Sequence, residues 1–268
     1  MKNDDSYANA AHIPGGDTWF EIWEDKARQF RTVEAAIGRA RLNLPYGADE
    51  RERFDLFHPA GRAHGLIVFV HGGFWLSFGR EYFSHLAAGL AARGFAVAMP
   101  SYPLAPEVEI PAITRSIARA IDTAAALVAG PVVLSGHSAG GHLVARMMCP
   151  DVGLATATLA RIKRVVPISP LGDLRPLLDT AMNDTLRLTD QTAISESPAL
   201  IPDPRQIDGE IWVGADERPA FIQQAETLHQ AWPATRLVID PRRHHFDIID
   251  GLEQPHSQLT GALVKGLI

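Results

Sequence analysis

Cysteine is almost missing from this chain: 268 residues contain one, Cys149, so no disulfide framework can staple the fold. A chain of this length needs none, because it can bury roughly three quarters of its unfolded surface. Cys149 stands in an apolar helical context and reads as a small buried hydrophobe, and its isolation fits a reducing, cytoplasmic setting. Long apolar runs are also lacking. Nothing approaches about eighteen uninterrupted apolar residues, so no membrane span is expected. The first residues, MKNDDSYANAAHIPGG, carry acids where a secretory leader needs a basic start and an apolar stretch, so no export is expected. Positive charge is not in excess: 31 acids outnumber 25 Lys and Arg, with both signs spread along the chain, and nucleic acid is not an expected partner.

Metal and phosphate motifs are missing too. Among 11 histidines there is no His-Glu-x-x-His pattern, and the spacing of His137 and His142 is poor for one helix face. No Walker-type loop occurs, and GHSAGG, from Gly136, lacks the basic residue that would hold phosphate. Neither a metal nor another cofactor is expected. No repeat, low-complexity tract or charged linker divides the sequence, so residues 1–268 are expected to form one domain.

What the sequence does have is alternation. Short apolar runs bounded by Gly or Pro begin at Gly65, Gly94, Pro131, Arg164, Glu210 and Arg236 and read as buried strands. Between most of them lie helical patterns, REYFSHLAAGLAARG, IPAITRSIARAIDTAAALVAG, HLVARMMC and RPAFIQQAETLHQAW, with Gly94 and Gly130 where helix C-caps belong. This is the signature of an α/β fold with a mainly parallel sheet covered by helices on both faces. RERFDLFHP, from Arg51, alternates and reads as an early antiparallel edge strand. Two regions escape the rhythm. Residues 1–45 contain an amphipathic helix with Trp19, Trp23 and Phe30 available for packing, and residues 173–204 are mixed helical and Pro-rich. Both are expected to form a small cap over the carboxyl edge of the sheet, with ordinary core packing as the competing reading of the tryptophans.

Between the strand pattern VVL and the helix pattern HLVARMM lies Gly-His-Ser-Ala-Gly. A serine flanked by glycines at a strand-to-helix junction occupies a sharp turn that lifts its hydroxyl out of the sheet, at a helix N-terminus whose N–H groups favour negative oxygen. Ser138 is therefore the candidate nucleophile. A serine hydroxyl is a weak nucleophile by itself and needs a base held by an acid, each expected after a later strand. Asp216 comes directly off EIWVGA and is the preferred acid, with Glu217 as the alternative and a helix N-cap as the competing role for Asp216. His244 and His245 follow RLVIDPRR, and either can be the base. VFVHGGFW, from Val68, offers backbone donors for an oxyanion, and Gly73, Phe74 and Ala139 are the expected ones. His71 reads as a loop organiser. Phe74, Trp75 and His137 are candidate lining of the substrate pocket, with core packing as the competing reading of Trp75.

HGGFW at His71, SYPLAPE at Ser101, GHSAGGHL at Gly136 and HHFDII at His244 resemble the corresponding motifs of kynurenine formamidases (arylformamidases), a branch of the α/β-hydrolases. The likeness runs from about Tyr46 onward. It implies the α/β-hydrolase fold, a triad of Ser138, Asp216 and His245, with His245 as the base, and hydrolysis of a small acyl substrate such as an N-formyl aromatic amine. Hormone-sensitive-lipase-like esterases share several of these features but usually carry a third glycine where this chain has Phe74. Short-chain carboxylesterase or thioesterase activity is therefore the alternative, and a non-catalytic ligand cradle is a rival from another class.

Overall fold

The computed structural model describes residues 3–267; residues 1, 2 and 268, which the expected domain and its N-terminal extension include, lie outside the described residues. The strands are β1 (Ala40–Pro45), β2 (Arg53–Phe57), β3 (Leu66–Val70), β4 (Ala96–Pro100), β5 (Val132–His137), β6 (Ile162–Ile168), β7 (Asp208–Gly214) and β8 (Arg236–Asp240). They form one sheet in the order β1-β2-β4-β3-β5-β6-β7-β8, antiparallel across β1, β2 and β4 and parallel from β4 to β8. The helices are α1 (Asp4–Tyr7), α2 (Trp19–Ala36), α3 (Ala87–Ala92), α4 (Ile110–Leu127), α5 (Ala139–Arg146), α6 (Thr156–Leu159), α7 (Asn183–Leu186), α8 (Asp190–Ser195), α9 (Pro219–Ala231) and α10 (Gln258–Val264).

Both faces of the central strands are apolar, which is why they read as continuous runs rather than alternating ones. Leu66, Val68 and Val70 point to the face covered by α4, α5 and α9, whereas Ile67 and Phe69 point to the face covered by α2, α3 and α10. Burying each such side chain is worth about 1.5–3 kcal/mol, so the six inner strands and their helices make a core that stands without crosslinks. Gly94 takes a φ of 84° just beyond α3, and Gly130 a φ of 95° just beyond α4, as residues ending helices do.

Two elements differ from expectation. β2 is antiparallel but is not the edge, because β1 pairs outside it from Ala40↔Phe57 to Pro45↔Arg53. β1 alternates half-buried Ala40, Leu42 and Leu44 with exposed Arg41, Asn43 and Pro45 and is broken in register between Arg41 and Leu44, so its period-two pattern is confined to six residues. REYFSHLAAGLAARG is helical only over α3; its first half winds as 3₁₀ turns at Arg80–Tyr82 and Ser84–Leu86.

β3 has β4 on one side and β5 on the other, so the loops leaving β3 and β5 part in opposite directions and leave a crevice at their carboxyl ends. The 173–204 segment is fixed beside that edge by Glu196. His142 Nε2 donates to its carbonyl (2.6 Å), and Thr114 Oγ1 and Arg146 Nε donate to its carboxylate (2.7 and 3.2 Å). The N-terminal segment is tied in turn to this one: Asn3 Nδ2 donates to Pro176 O (2.8 Å) and Ala181 N donates to Asp4 Oδ1 (2.6 Å). Gln224 of α9 holds Tyr7 through its hydroxyl (3.0 Å). Among the described residues no helix is long and apolar enough to cross a membrane.

Candidate active site

Ser138 stands alone between the end of β5 and the start of α5, with φ 56° and ψ −117°. For a residue with a Cβ this region costs about 1–3 kcal/mol and persists only where the surroundings enforce it. They do so here by close packing of backbone. A Cβ on Gly140 would sit 2.0 Å from Val70 O, and one on Gly136 2.4 Å from Gly140 O. Both glycines serve close approach of α5 to β3 rather than a positive φ, and Ser138 N is pinned to Ile168 O at 2.8 Å. Ser138 is left at the first turn of α5 with its hydroxyl free of hydrogen bonds among the described residues.

His245 Nδ1 lies 2.5 Å from Glu217 Oε2, and both side chains are buried. A carboxylate only accepts, so Nδ1 carries the proton and Nε2 keeps its lone pair. Glu217 Oε1 also accepts from Gly214 N at 2.8 Å and from Ser169 Oγ, so the buried carboxylate is held by three donors. Asp216, the preferred acid, is not the group that faces His245. β7 ends at Gly214, Asp216 N donates to Arg243 O (2.9 Å), and the Asp216 side chain faces solvent. Glu217 N then bonds back to Gly214 O (3.3 Å), and this turn folds the longer side chain over the strand end. His244 organises the loop instead. Its Nδ1 accepts from Phe246 N and Asp247 N (3.1 and 3.2 Å), and its ring meets Trp19 edge-on.

The loop after β3 is strained. Gly73 has a φ of 109°, and Phe74, Trp75 and Phe78 follow at 50°, 60° and 70°. Leu76 N and Ser77 N both turn back onto Gly73 O, which leaves the N–H groups of Gly73 and Phe74 without an acceptor among the described residues. Ala139, first residue of α5, has no acceptor for its N–H either, as helix geometry dictates. His71 supports the loop: its Nδ1 donates to Gly72 O (2.7 Å), its ring stacks on Tyr102 at 4.4 Å, and Tyr102 OH donates to His71 O (3.0 Å). Burial drives the His71 imidazole down to about 3, so it stays neutral. The SYPLAPE stretch thus braces the HGGFW loop, and Ala105 N adds a bond to Trp75 O (2.9 Å).

These pieces open on one cavity of about 510 Å³. Ser138, His245, His137, Gly73 and Phe74 line its floor and wall, and Phe20, Trp23, Phe78, Phe83 and Phe246 make most of the rest aromatic. Trp75 does not line it. That indole is fully buried and packs edge-on against His142 at 5.0 Å, a core role that its left-handed backbone directs. His137 is buried under His245, donating from Nε2 to His245 O at 2.8 Å, and burial together with the neighbouring His245 holds it neutral, well below the usual imidazole range. The cavity's remaining wall comes from Tyr7 to Ala11 and Asp17, a stretch whose residues carry no motif of their own. Two buried polar atoms on lining residues lack a partner among the described residues, Asn9 Oδ1 and Trp23 Nε1. Apart from the imidazoles and the Tyr7 phenol, Asp17 is the one ionisable lining residue, and among the described residues no Lys or Arg lines the cavity. Among the described residues no group of His, Cys, Asp and Glu is arranged to hold a metal.

Residues 67–260 match the alpha/beta hydrolase family. The chain is 30% identical to kynurenine formamidase of Salmo salar over 251 residues, 87% of this chain and 84% of the relative, and 26% identical to that of Danio rerio over 86% and 83%. Among solved structures it superposes on a candidate thioesterase of Silicibacter sp. TM1040 with a TM-score of 0.96 and 49% identity, covering 98% of this chain and 99% of that one. The family match spans the loop after β3, the Ser138 turn and the His245 loop, and on it the chain belongs to the α/β-hydrolase family and is a hydrolase.

Proposed function

We propose that this chain hydrolyses small aryl formamides, N-formylkynurenine among them, through a formyl-serine intermediate. The observation that carries this reading is that Ser138 and the Glu217-held His245 share one cavity walled by aromatic rings. The names of the Salmo salar and Danio rerio relatives agree with it. In this reading Ser138 Oγ attacks the formyl carbon while His245 Nε2 takes the hydroxyl proton, and Glu217 stabilises the imidazolium so formed. The N–H groups of Gly73, Phe74 and Ala139 receive the oxyanion, each worth about 3 kcal/mol to the transition state. As the C–N bond breaks, the proton passes from His245 to the departing amine. Water, deprotonated by the same imidazole, then attacks the formyl ester, releasing formate and restoring Ser138.

Short acyl esters and thioesters are the second substrate class, the thioesters supported by the thioesterase description of the Silicibacter relative. Coenzyme-bearing thioesters are disfavoured, because among the described residues no Lys or Arg lines the cavity to meet their phosphates. A ligand cradle without chemistry is disfavoured as well, since it needs neither the strain at Ser138 nor a buried carboxylate beneath His245. The reading includes a cytoplasmic setting and a small dissolved substrate, supported by the one thiol, Cys149, buried and pushed up to about 11 by that burial.

The test compares kcat/KM for N-formylkynurenine, p-nitrophenyl acetate and a short acyl-CoA, with Ser138→Ala as control. Formamide turnover that Ser138→Ala abolishes is expected; ester turnover with no formamide turnover overturns the formamidase assignment.

A further inference from the structure

Asn9 is 6% exposed, lines the cavity above Ser138, and leaves Oδ1 without a donor among the described residues. A buried amide oxygen with no partner is costly, and a ligand that supplies the missing donor removes that cost. Local structure gives it no other task. The backbone around it is already satisfied, with Asn9 N bonded to Tyr7 O (3.1 Å) and His12 N to Asn9 O (3.0 Å), and its side chain caps nothing. Eight residues on, Asp17 sits exposed on the same cavity with its carboxylate unpaired among the described residues. Buried acceptor, negative rim and the aromatic side chains of Phe20 and Phe78 favour a cation that donates hydrogen bonds, while the unpartnered Trp23 Nε1 can donate to an acceptor on the same ligand.

We infer that Asn9 and Asp17 are specificity-determining residues that select substrates whose aromatic leaving group carries a protonated amine. The ammonium donates to Asn9 Oδ1, is attracted by Asp17, and packs against the aromatic wall. This rests on the reading of the cavity as an acyl-transfer site, not on formyl as the acyl group.

The experiment therefore uses esters as well as formamides. The ratio of kcat/KM for 4-(2-aminoethyl)phenyl acetate to that for phenyl acetate is measured in the parent, Asn9→Leu and Asp17→Asn, and calorimetry compares tyramine with 4-ethylphenol as ligands. The parent prefers the amine-bearing ester. The preference falls about ten-fold in Asn9→Leu, as for a lost hydrogen bond to a charged group. It falls about three-fold in Asp17→Asn, an exposed charge whose effect salt suppresses. Both changes appear in KM and in tyramine affinity. Asn9→Leu also holds or raises Tm, because a buried unpaired polar atom is removed. A preference that stays within two-fold of the parent's in both variants, or a parent with none, overturns the inference. A purely structural Asn9 lowers Tm and depresses both esters alike. Asp17→Asn, at an exposed position, keeps the test open if Asn9→Leu does not fold. Failure to cleave N-formylkynurenine with the ester preference intact removes the formamidase reading and leaves this one standing.

Discussion

Glu217 Oε2 lies 2.5 Å from His245 Nδ1, a buried carboxylate against a buried imidazole, while Asp216, one residue earlier, points to solvent. Glu217→Gln can still hydrogen-bond but no longer accepts the imidazolium's charge. A loss of about a thousand-fold or more in kcat is expected, with KM little changed, because the charge exists only in the transition state. Asp216→Ala should stay within two-fold of the parent. His245→Ala should abolish turnover, whereas His244→Ala should lower Tm before it lowers kcat. Steady-state kinetics on any cleaved ester, with thermal unfolding for His244→Ala, checks all four, and a larger loss in Asp216→Ala than in Glu217→Gln would reverse the assignment of the acid.

Acid should unfold this protein steeply. His71, His85 and His142 are pushed down to about 3 by burial, and His137 well below its ordinary value. Above about 6.5 they are neutral in both states and stability is full; as pH falls through 6.5 the unfolded chain binds protons that the folded chain refuses, so stability is lost at about 1.4 kcal/mol per pH unit per histidine. Asp250 acts in the opposite sense between about 4 and 6, because burial raises its carboxyl from 3.8 to about 6 and the folded state keeps that proton longer. Urea unfolding from pH 7 to 4.5 should show a net slope of about three protons. His85→Phe, at a ring whose two nitrogens have no hydrogen bond among the described residues, should flatten the slope by about one proton, and Asp250→Asn should steepen it.

Tyr102→Phe removes the hydroxyl that donates to His71 O beneath the HGGFW loop. Loss of this buried bond should cost about 1–2 kcal/mol in denaturant unfolding. It should also lower kcat more than it raises KM, because in the proposed reaction the loop's N–H groups act on the transition state. An equal effect on both parameters would separate the brace from the oxyanion donors.

Trp23 packs against Phe83, Phe246 and Phe20 at ring separations of 5.2, 5.3 and 5.9 Å and walls the cavity. Trp23→Ala should cost about 3–5 kcal/mol of stability. It should raise KM for aryl substrates while leaving small alkyl acetates less affected, as paired kinetics on phenyl and ethyl acetate would show.

The strands from β3 to β8 were legible because each is a short apolar run with turn residues at both ends; β3 to β7 are buried on both faces, and β8, at the edge, is marked by its length and bounding turns. The Ser138 turn was legible because packing against Val70 leaves room only for glycine at Gly136 and Gly140. β1 escaped because its alternation of half-buried and exposed residues spans only six positions and is broken by a register shift. Asn9 and Asp17 escaped because nothing local marks them. Their place on the cavity depends on contacts between Asn3 or Asp4 and residues more than 170 positions away.

The sequence by itself determined an α/β chain with a serine raised at a strand-to-helix turn and a histidine after the last strand, since strand burial, glycine spacing and turn chemistry are local demands written in neighbouring residues. Only the tertiary structure decided which of two adjacent acids meets His245, that Trp75 belongs to the core, and that residues between Tyr7 and Phe20 wall the cavity. Those outcomes depend on how loops from distant strands cross. At Gly214, a backbone with no Cβ lets Arg243 O come so close that a Cβ there would lie 2.1 Å from it, and the turn that follows delivers Glu217 rather than Asp216.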